Sequence, residues 1–537
     1  MKNFRYIFYA ATWIINFLLV ALVFASFNTE SYGIYFNSDT LYLASIYKDL
    51  FIDGTGFSGW YLNAAPNFFP DMFLYFIVNT LFSDFRTAYL VFSFVQYFLI
   101  LGLLNVLIKT IIPKIKFEYS GLLNLLFPVF LLVSILSKNF LYTYFIFSHS
   151  FHTGMFINAL LAFIFFFKYL NSEKRTFLIL TLLITFIGTY NDRLFLVMFS
   201  FPVTAVFILN FFFLKYKRLS ILGFSVVLAS VLSLILFKYT KINPVFHCIG
   251  LDQKYLNYDN ILFSLNKLFT QHYNYVKDLR VQGFISITAV FNIIILPVLI
   301  FKNYLKIKSG VKNEKEKQRE TVFFAMVFFS IIITLFSPAL NGYYLGEAHL
   351  RYNIFSFYFS IFNIVIFLYL VFKEKLKYVK LISGVLLIFY IGIIFLNFKK
   401  YNVFEKVKDV TEFYPEKVKI IDDFAGKHNL RYGLSQYWDA KYTTMFSEKG
   451  LRVYTIASEK LNPWFHVMNK NWYFNYEKGK YNKPVFNFII LNKFDKKKIR
   501  ENFGNPLDSL VYKKETVLYV MEGIKYDRKT GKPYLVK

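Results

Sequence analysis

Cysteine is almost absent from this 537-residue chain, which contains only Cys248. A single thiol excludes an internal disulfide and any metal site built from several cysteines. Acidic residues are also scarce, because 33 Asp and Glu stand against 61 Lys and Arg, for a formal net charge of +28. Such an excess is compatible with nucleic-acid binding, so the positions of the basic residues have to decide what it means.

Long apolar runs are what the chain has in abundance. Hydrophobic residues make up 56% of the sequence, and its mean hydropathy is +0.43. A soluble protein of this length could not bury so much apolar surface. Runs of about 17–25 apolar residues, which is the length that crosses a bilayer, recur over the first three quarters of the chain. The sequence therefore predicts an all-α polytopic membrane bundle of about eleven transmembrane helices.

The predicted spans follow these apolar runs. They lie near 6–26, 87–108, 120–137, 152–170, 176–190, 194–214, 219–237, 284–302, 321–337, 352–372 and 379–397. The run 68–83 is shorter and contains Pro70, Asp71 and Asn79. Because apolar runs of that length are often interfacial or re-entrant, we expect 68–83 to lie along one face of the membrane without crossing it.

Basic residues fix the predicted orientation of the bundle. If 68–83 does not span, the connections rich in Lys and Arg all fall on one side; they are 109–119, 168–175, 215–218, 302–320 and 372–380. The short loops on the other side hold one basic residue each, namely Arg86, Lys138, Arg193 and Arg351. Because basic loops stay in the cytoplasm, we expect a cytoplasmic N-terminus in a bacterial inner or plasma membrane. The positive charge then faces anionic membrane lipid, and nucleic acid is not an expected partner.

This orientation divides the chain into a transmembrane domain, 1–397, and a tail, 398–537. The first outer loop, 27–86, the outer loop 238–283 and the tail all fall outside. The tail is predicted to be a small extracytoplasmic α/β domain, because its patterns favour both helices and strands. These patterns are a helix in "EKVKIIDDFAGKHN", strands in "LRVYTIA" and "PVFNFIILN", a hairpin in "SLVYKKETVLYVME", and a helix "KKKIRENF" capped by Asp495 and ended by Gly504.

Four aspartates of the first outer loop follow closely on the first span. Asp39, in "NSDTLY", lies at the mouth of the bundle, where a carboxylate could act as a general base or bind a metal that does so. The alternative is that Ser38 or Asp39 caps a helix over "TLYLASIYKDLF". We expect Asp49 to be solvated, Asp53 to lie in a turn, and Asp71 to lie in the first turn of the 68–83 helix.

The order of features in this loop resembles a known family. An acidic residue, an amphipathic helix, "GTGFSGW", the proline-bearing "APNFFPDMFLYF" and the Arg of "SDFRTAYL" follow one another. This resembles the first outer loop of the GT-C glycosyltransferases, especially the branch of lipid A aminoarabinose transferases and protein O-mannosyltransferases. The family usually has an Asp-Glu pair, whereas here Thr40 follows Asp39. Its Glu before paired prolines is replaced by Asn67, Pro70 and Asp71.

The resemblance implies a membrane glycosyltransferase of GT-C-like fold. Its expected catalytic carboxylate is Asp39, its donor a polyprenyl-phosphate sugar, its acceptor a glycan, lipid or protein, and its stereochemistry inverting. Such an enzyme would serve glycan biosynthesis in the cell envelope. The donor phosphate requires cations, and arginine suits it because its planar fork donates two hydrogen bonds at once. Arg193 and Arg351 are therefore the expected phosphate partners.

Ionisable residues of the outer loops supply the other substrate-binding candidates, since such groups near membrane depth are costly and often functional. They are Asp192, Glu347, His149, His152, Asp71 and Arg86. Each also has a structural alternative. Asp192 and Arg193 could form only a turn, the two histidines could be interfacial polar residues, and Glu347 could pair with Arg351 on a helix surface. The sequence does not predict a set of metal ligands, so a divalent metal is compatible with it but not required.

Three other functions remain open. The chain could be a transporter or flippase of lipid-linked glycans, a glycan polymerase or ligase, or an assembly subunit without activity. A transporter usually carries charged residues within its spans and internal repeats. Here the ionisable groups gather on one face, which favours chemistry at that face.

Overall fold

A computed structural model of the chain describes residues 2–240, 246–248, 257–310, 314–373, 375–474, 484–513 and 515–536. Within these residues, ten helices are long and apolar enough to cross a membrane. They are Tyr6–Ala25, Phe85–Ile111, Phe117–Ser137, Thr153–Ser172, Leu196–Leu214, Lys217–Thr240, Val281–Lys308, Glu314–Leu340, Ile354–Phe372 and Leu376–Tyr401. The chain is therefore a helical, multi-pass membrane protein, as its composition predicts.

The α-helices are numbered in chain order. They are α1 Lys2–Ala25, α2 Thr29–Tyr35, α3 Tyr42–Tyr47, α4 Phe73–Phe82, α5 Phe85–Ile111, α6 Phe117–Leu126, α7 Val129–Ser137, α8 Leu141–Phe147, α9 Thr153–Ser172, α10 Arg175–Asn191, α11 Phe201–Leu209, α12 Lys217–Thr240, α13 Tyr258–Lys277, α14 Val281–Lys308, α15 Glu314–Leu340, α16 Ile354–Phe372, α17 Leu376–Tyr401, α18 Val403–Thr411, α19 Glu416–Lys427, α20 Tyr437–Phe446 and α21 Lys496–Phe503. The predicted span 176–190 corresponds to α10, which has 17 residues and is shorter than the ten candidate spans.

The tail packs on one end of the helix bundle, which we call the capped face. Val403 and Val410 of α18 belong to the same apolar core as α1 and α5. At the start of α5, the Arg86 guanidinium donates a hydrogen bond of 3.1 Å to the carbonyl oxygen of Phe413. The end of α1 and the start of α5 therefore lie together under the tail.

The short apolar segment Phe68–Phe82 has both ends at the capped face. At its start, the Phe68 N–H donates to the Asn191 side chain at 3.1 Å. Near its end, Thr80 forms a hydrogen bond of 3.2 Å with Tyr47 in the first outer loop. Asp71 lies in its first turn, as predicted. Both ends of the segment therefore bind neighbouring loops, and that 68–83 does not cross the membrane stays a prediction.

A six-stranded sheet forms the centre of the tail. The strands of the protein are β1 Trp60–Leu62, β2 Phe246–Cys248, β3 Tyr432–Ser435, β4 Arg452–Thr455, β5 Met468–Asn469, β6 Phe486–Ile490, β7 Asp508–Tyr512, β8 Glu515–Tyr526 and β9 Pro533–Leu535. The order is β4-β3-β6-β8-β7, with β9 also paired to β8. Strand β3 is parallel to β4 and β6, whereas β8 is antiparallel to its neighbours.

Several elements of the tail follow the sequence patterns. Helix α19 and strands β4 and β6 lie where the patterns place them, and β7 and β8 form the predicted antiparallel hairpin. Asp495 accepts a hydrogen bond from the Lys497 N–H at the start of α21, and Gly504 follows the end of that helix. These elements are predicted correctly because helix capping and the alternation of apolar and polar residues in strands depend on only a few neighbouring residues.

A three-stranded sheet joins the first outer loop to the tail. Strand β1 pairs antiparallel with β5 and parallel with β2. Gly59, the last glycine of "GTGFSGW", has a φ of +90°, and a Cβ atom there would lie 2.8 Å from the Asn469 side-chain oxygen. Glycine is therefore required at this crossing by both its backbone angle and the close approach of the two chains.

Candidate active site

The turn that carries Asp39 is made by Asn37. The Asn37 side-chain oxygen accepts hydrogen bonds from the N–H groups of Asp39 at 2.9 Å and Thr40 at 3.0 Å. Helix α3 begins at Tyr42, and no side chain caps it. The interpretation of Ser38 or Asp39 as a helix cap is therefore wrong, because Asn37 makes the turn and leaves the Asp39 carboxylate to point elsewhere.

The Asp39 carboxylate faces helix α20 of the tail. The Tyr437 hydroxyl donates to Asp39 Oδ1 at 2.6 Å, and Asp39 itself is half-buried. Ser38 donates to the carbonyl oxygens of Tyr437 and Trp438, each at 3.0 Å. Among the described residues, no hydrogen bond involves Asp39 Oδ2. One carboxylate oxygen is thus fixed by the tail, and the other is placed to accept a proton.

Lys441 lies one helical turn after Tyr437 and is buried beneath this contact. Its ammonium group donates to the Ser38 carbonyl oxygen at 3.1 Å and lies 5.2 Å from the centre of the Tyr437 ring. Burial lowers the pKa of Lys441 to about 7, and the Asp39 charge partly opposes that change. Strongly shifted pKa values of this kind are frequent at functional sites.

Aromatic side chains surround the Asp39 contact on the tail side. Trp438 and Trp464 are 49% and 42% exposed, which is unusual for tryptophan in a folded domain. Trp464 stacks on His466 with ring centres 4.8 Å apart, and both rings contact Tyr437. Burial, together with the Lys441 charge, lowers the pKa of His466. Flat apolar rings beside a carboxylate form a surface on which the apolar face of a sugar can pack.

Arg351, which precedes α16 of the bundle, lies near the turn that carries Asp39. The Asn37 side chain donates to the Tyr144 hydroxyl at 2.8 Å. Burial raises the pKa of Tyr144, the Asp39 charge raises it further, and the Arg351 charge lowers it. Asp39 and Arg351 therefore both lie near this hydroxyl. Arg351 donates to the Tyr352 hydroxyl at 2.9 Å, whereas its Nε atom is buried without a hydrogen-bond partner.

His152 and Asp192 form a pair next to Arg351. His152 Nδ1 forms a short hydrogen bond with Asp192 Oδ2, and its ring centre lies 5.3 Å from that of Tyr352. The Leu194 N–H donates to Asp192 Oδ1 at 2.9 Å. Asp192 therefore forms the turn given above as its structural alternative, and it also binds the histidine.

Asp71 lies behind the His152–Asp192 pair and is 1% exposed. Its carboxylate packs on Gly154, where a Cβ atom would collide with it. Burial raises the pKa of Asp71, the Ser150 backbone N–H lowers it, and the Asp192 charge raises it. Asp71 is thus brought to the candidate site, but it is sealed from solvent.

The remaining predicted site residues have other partners. Arg193 is exposed, donates to the Ala64 carbonyl oxygen at 3.4 Å, and lies 5.4 Å from the centre of the Phe237 ring. Glu347 accepts hydrogen bonds from Asn139 at 2.8 Å and from Tyr275. Neither residue is shown in contact with the Asp39 turn.

His149 and Arg86 also stand apart from that turn. His149 is enclosed by Tyr75, Tyr89 and Phe92, and burial lowers its pKa to about 3. It is therefore a neutral residue of the core. Arg86 donates to Asp84 at 3.1 Å and to the tail, as described above.

Two other aspartates of the first outer loop bind the tail. Asp49 is 2% exposed and accepts a hydrogen bond of 2.9 Å from the Trp472 indole, so the expectation that it is solvated is wrong. Asp53 accepts two hydrogen bonds from Arg452, of 2.6 and 2.7 Å, and two from Lys48, each of 3.0 Å. It follows the helical turn 48–52, so it does lie at a turn, but it also forms a salt bridge across the interface.

No group of three or more His, Cys, Asp or Glu residues suited to a metal ion occurs in the described part of the chain. The chemistry that this region offers is that of a carboxylate, a lysine of lowered pKa and an arginine.

No protein-family model matches the chain, no curated protein is significantly similar to it, and no solved structure matches it. Its function is therefore inferred from its residues and their geometry.

Proposed function

We propose that this protein is a membrane glycosyltransferase that moves a sugar from a polyprenyl-phosphate carrier to an acceptor hydroxyl at the capped face. The main support for this proposal is the half-buried Asp39 carboxylate. Tyr437 binds one of its oxygens, and the exposed Trp438 and Trp464 lie beside it. The proposal includes a GT-C-like bundle, a non-cytoplasmic capped face, and a tail that forms an extracytoplasmic α/β domain.

In this reaction Asp39 acts as the general base. Its Oδ2 atom takes the proton of the acceptor hydroxyl while the acceptor oxygen bonds to the anomeric carbon of the sugar. The bond from that carbon to the phosphate oxygen breaks, and its electron pair leaves with the lipid phosphate. Tyr437 keeps the carboxylate oriented by binding Oδ1. A positioned base of this kind contributes about 10²- to 10⁴-fold to the rate.

Arg351 is the proposed partner of the donor phosphate. Its charge acts on the same hydroxyl as that of Asp39, and its Nε atom is buried without a partner. A buried, unpaired guanidinium nitrogen is costly unless a ligand completes its hydrogen bonding. A cation at this position would offset the charge that develops on the leaving phosphate.

The transporter alternative has less support from the interior of the bundle. The buried polar groups there that bind one another across helices are amides and hydroxyls, such as Asn16 with Asn124 and Asn292 with Asn363. Ion-coupled transport usually requires charged groups at that depth. The charged candidates gather instead at the capped face, although buried Glu118 lies in the first turn of α6 at the other end of the bundle. This distribution favours chemistry on one side of the membrane.

The test is turnover of polyprenyl-phosphate hexose and pentose donors by the purified full chain, followed as release of polyprenyl phosphate. We expect Asp39→Asn to fold normally and to lose at least about 10²-fold in turnover. Tyr437→Phe should lose about tenfold, because one hydrogen bond to a charged group is removed. Asp423→Asn, which changes an exposed aspartate of α19, is the matched control. Near-normal turnover by Asp39→Asn would refute the assignment.

A further inference from the structure

Asp71 is a buried carboxylate whose oxygens are not satisfied by the chain. It is 1% exposed, and neither oxygen has a hydrogen-bond partner among the described residues. The Ser150 backbone N–H, which lowers the pKa of Asp71, does not complete a hydrogen bond with either oxygen. An ionised carboxylate removed from water without a partner is costly, so such a group requires a counter-ion or a proton.

Two amide oxygens near Asp71 are also buried and unpartnered. Asn67 and Asn158 are each 0% exposed, and the side-chain oxygen of each has no hydrogen-bond partner in the described part of the chain. Their side-chain nitrogens are both engaged, since Asn67 donates to the Ala65 carbonyl oxygen at 2.6 Å and Asn158 to that of Phe69 at 3.0 Å. Because a carbonyl oxygen only accepts, these bonds fix the nitrogens and leave the amide oxygens directed elsewhere.

One turn of the chain brings these oxygens together against helix α9. The Met72 N–H donates to the Asn67 carbonyl oxygen at 3.0 Å, which closes a turn that includes Asp71. A Cβ atom at Gly154 of α9 would collide with the Asp71 carboxylate. Asn158 lies one helical turn further along the same face of α9 and binds the turn as described above. The carboxylate and the two amide oxygens therefore lie at one contact, between this turn and α9.

Three helices are interrupted around this contact. The segment Phe68–Phe82 has a non-helical residue, Phe69, in its first turn. Helix α9 is preceded by two residues in the left-handed region, Ser150 and His152. Helix α10 ends at Asn191, whose side chain donates to the Phe69 carbonyl oxygen at 3.1 Å. Backbone carbonyls at interrupted helices are typical ligands of Na⁺ in membrane proteins.

The charge at this contact suits a singly charged cation. Asp192 is close enough for its charge to raise the pKa of Asp71, but its own oxygens bind His152 and the Leu194 N–H. No lysine or arginine among the described residues donates to Asp71. One unpaired negative charge remains, and the other available oxygens belong to neutral amides. Oxygen donors of this kind suit hard cations.

We propose that Asp71, Asn67 and Asn158 bind one Na⁺ ion between the turn and α9. The ion neutralises the Asp71 carboxylate and takes the two amide oxygens as neutral ligands. This site has one unpaired acidic residue, so it differs from clusters of three or more His, Cys, Asp or Glu side chains, none of which occurs in the described residues. The evidence for it does not involve Asp39, so the inference stands without the proposed transferase activity.

Binding of radioactive Na⁺ to the purified full chain at pH 8 tests the proposal. We expect saturable binding of one ion per chain, which choline does not displace. Asp71→Asn should weaken Na⁺ binding by at least about tenfold, because it removes the unpaired charge. Asn67→Gly should weaken it by about two- to tenfold, because glycine keeps the left-handed backbone at that position and removes one neutral ligand.

Thermal unfolding in sodium chloride or choline chloride at equal ionic strength gives a second readout. The natural chain should melt at a higher temperature in sodium chloride, and the difference should grow with the Na⁺ concentration, because the ion binds only the folded state. Asp71→Asn should melt at the same temperature in both salts. Asp423→Asn, which changes an exposed aspartate, is the matched control and should keep both the binding and the stabilisation.

Three results would overturn the Na⁺ site. They are equal melting of the natural chain in the two salts, stabilisation by calcium chloride but not by sodium chloride, and equal Na⁺ binding by Asp71→Asn and Asp423→Asn. A protonated Asp71 or a buried water molecule would give the first of these results. Asp39→Asn should bind Na⁺ as the natural chain does, even if it has lost turnover, so the two proposals fail separately.

Discussion

Replacing Asp49 by asparagine should stabilise the contact between the first outer loop and the tail above pH 7. The Asp49 carboxylate is buried against Trp472 and Asn469, whose side-chain N–H groups donate to it at 2.9 and 3.3 Å. Burial, with a further contribution from the charge of Asp53, raises the pKa of Asp49 from 3.8 to about 7. The folded protein therefore holds a proton on Asp49 at a pH where the unfolded chain has lost it.

The sign and size of the effect follow from this difference. The stability that Asp49 contributes is complete below about pH 4 and is lost as the pH rises through about 7. The difference between 3.8 and about 7 corresponds to about 4 kcal/mol at most, at about 1.4 kcal/mol per pH unit. Asparagine stays neutral at every pH and can still accept the hydrogen bond from Trp472. The variant should therefore keep at pH 8 the stability that the natural chain loses.

Thermal unfolding of the detergent-solubilised protein between pH 4 and pH 9 measures this difference. We expect Asp49→Asn and the natural chain to melt at similar temperatures at pH 4, and the variant to melt higher at pH 8. Asp423→Asn is again the matched control, because its side chain is exposed and its loss should not alter the pH profile. If Asp49→Asn melts lower than the natural chain at pH 8, or follows it in parallel across the range, the reasoning is refuted.

Two further predictions concern the tail and the orientation of the chain. Asp53→Ala should destabilise the docked tail by about 3 kcal/mol, because it leaves Arg452 and Lys48 without their shared carboxylate, and it should speed proteolytic release of the tail; unchanged proteolysis would contradict this. In a Cys248→Ser background, an impermeant thiol reagent should label Lys529→Cys in intact cells but not Lys174→Cys. The reverse pattern would place the capped face in the cytoplasm.

The parts of the fold that the sequence predicts are those determined locally. Ten candidate spans follow from runs of about 20 apolar residues, because length and hydropathy decide insertion without reference to partners. Helix α10 is too short to join them by that criterion, although its apolar run is read correctly. The cap at Asp495 and the stop at Gly504 are likewise short-range signals.

The residues that the tail contributes to the candidate site could not be predicted from such local patterns. Tyr437 is separated from Asp39 by 398 residues, and nothing near either residue indicates that they meet. One local signal was available in "QYWDAKYTTMF". Lys441 stands four residues after Tyr437 and therefore on the same face of α20, so a lysine shares the face that carries the buried aromatic residue. The sequence could have marked Lys441 as unusual, but not the carboxylate beside it.

The false interpretation of Asp39 as a helix cap has a specific cause. Asn37, Ser38 and Asp39 are all residues that favour caps and turns, and only one of them can make the turn. The structure gives that place to Asn37, which frees both Ser38 and Asp39 to bind the tail. Sequence alone ranks these three residues almost equally, so the competition between them had to be decided by tertiary contacts.

The aspartates of the first outer loop fall into two groups, those that bind the tail and Asp39, the proposed general base. Asp49 and Asp53 bind Trp472 and Arg452 of the tail, whereas Asp39 is the carboxylate that stays half-buried beside exposed aromatic rings. The tail also supplies the side chain that holds Asp39, so formation of the candidate site depends on docking of the tail. A variant that loosens the Asp53 salt bridge should therefore lower turnover without touching the reacting atoms. Asp53→Ala should lower turnover together with faster proteolytic release of the tail, whereas Asp39→Asn should lower turnover without speeding that release.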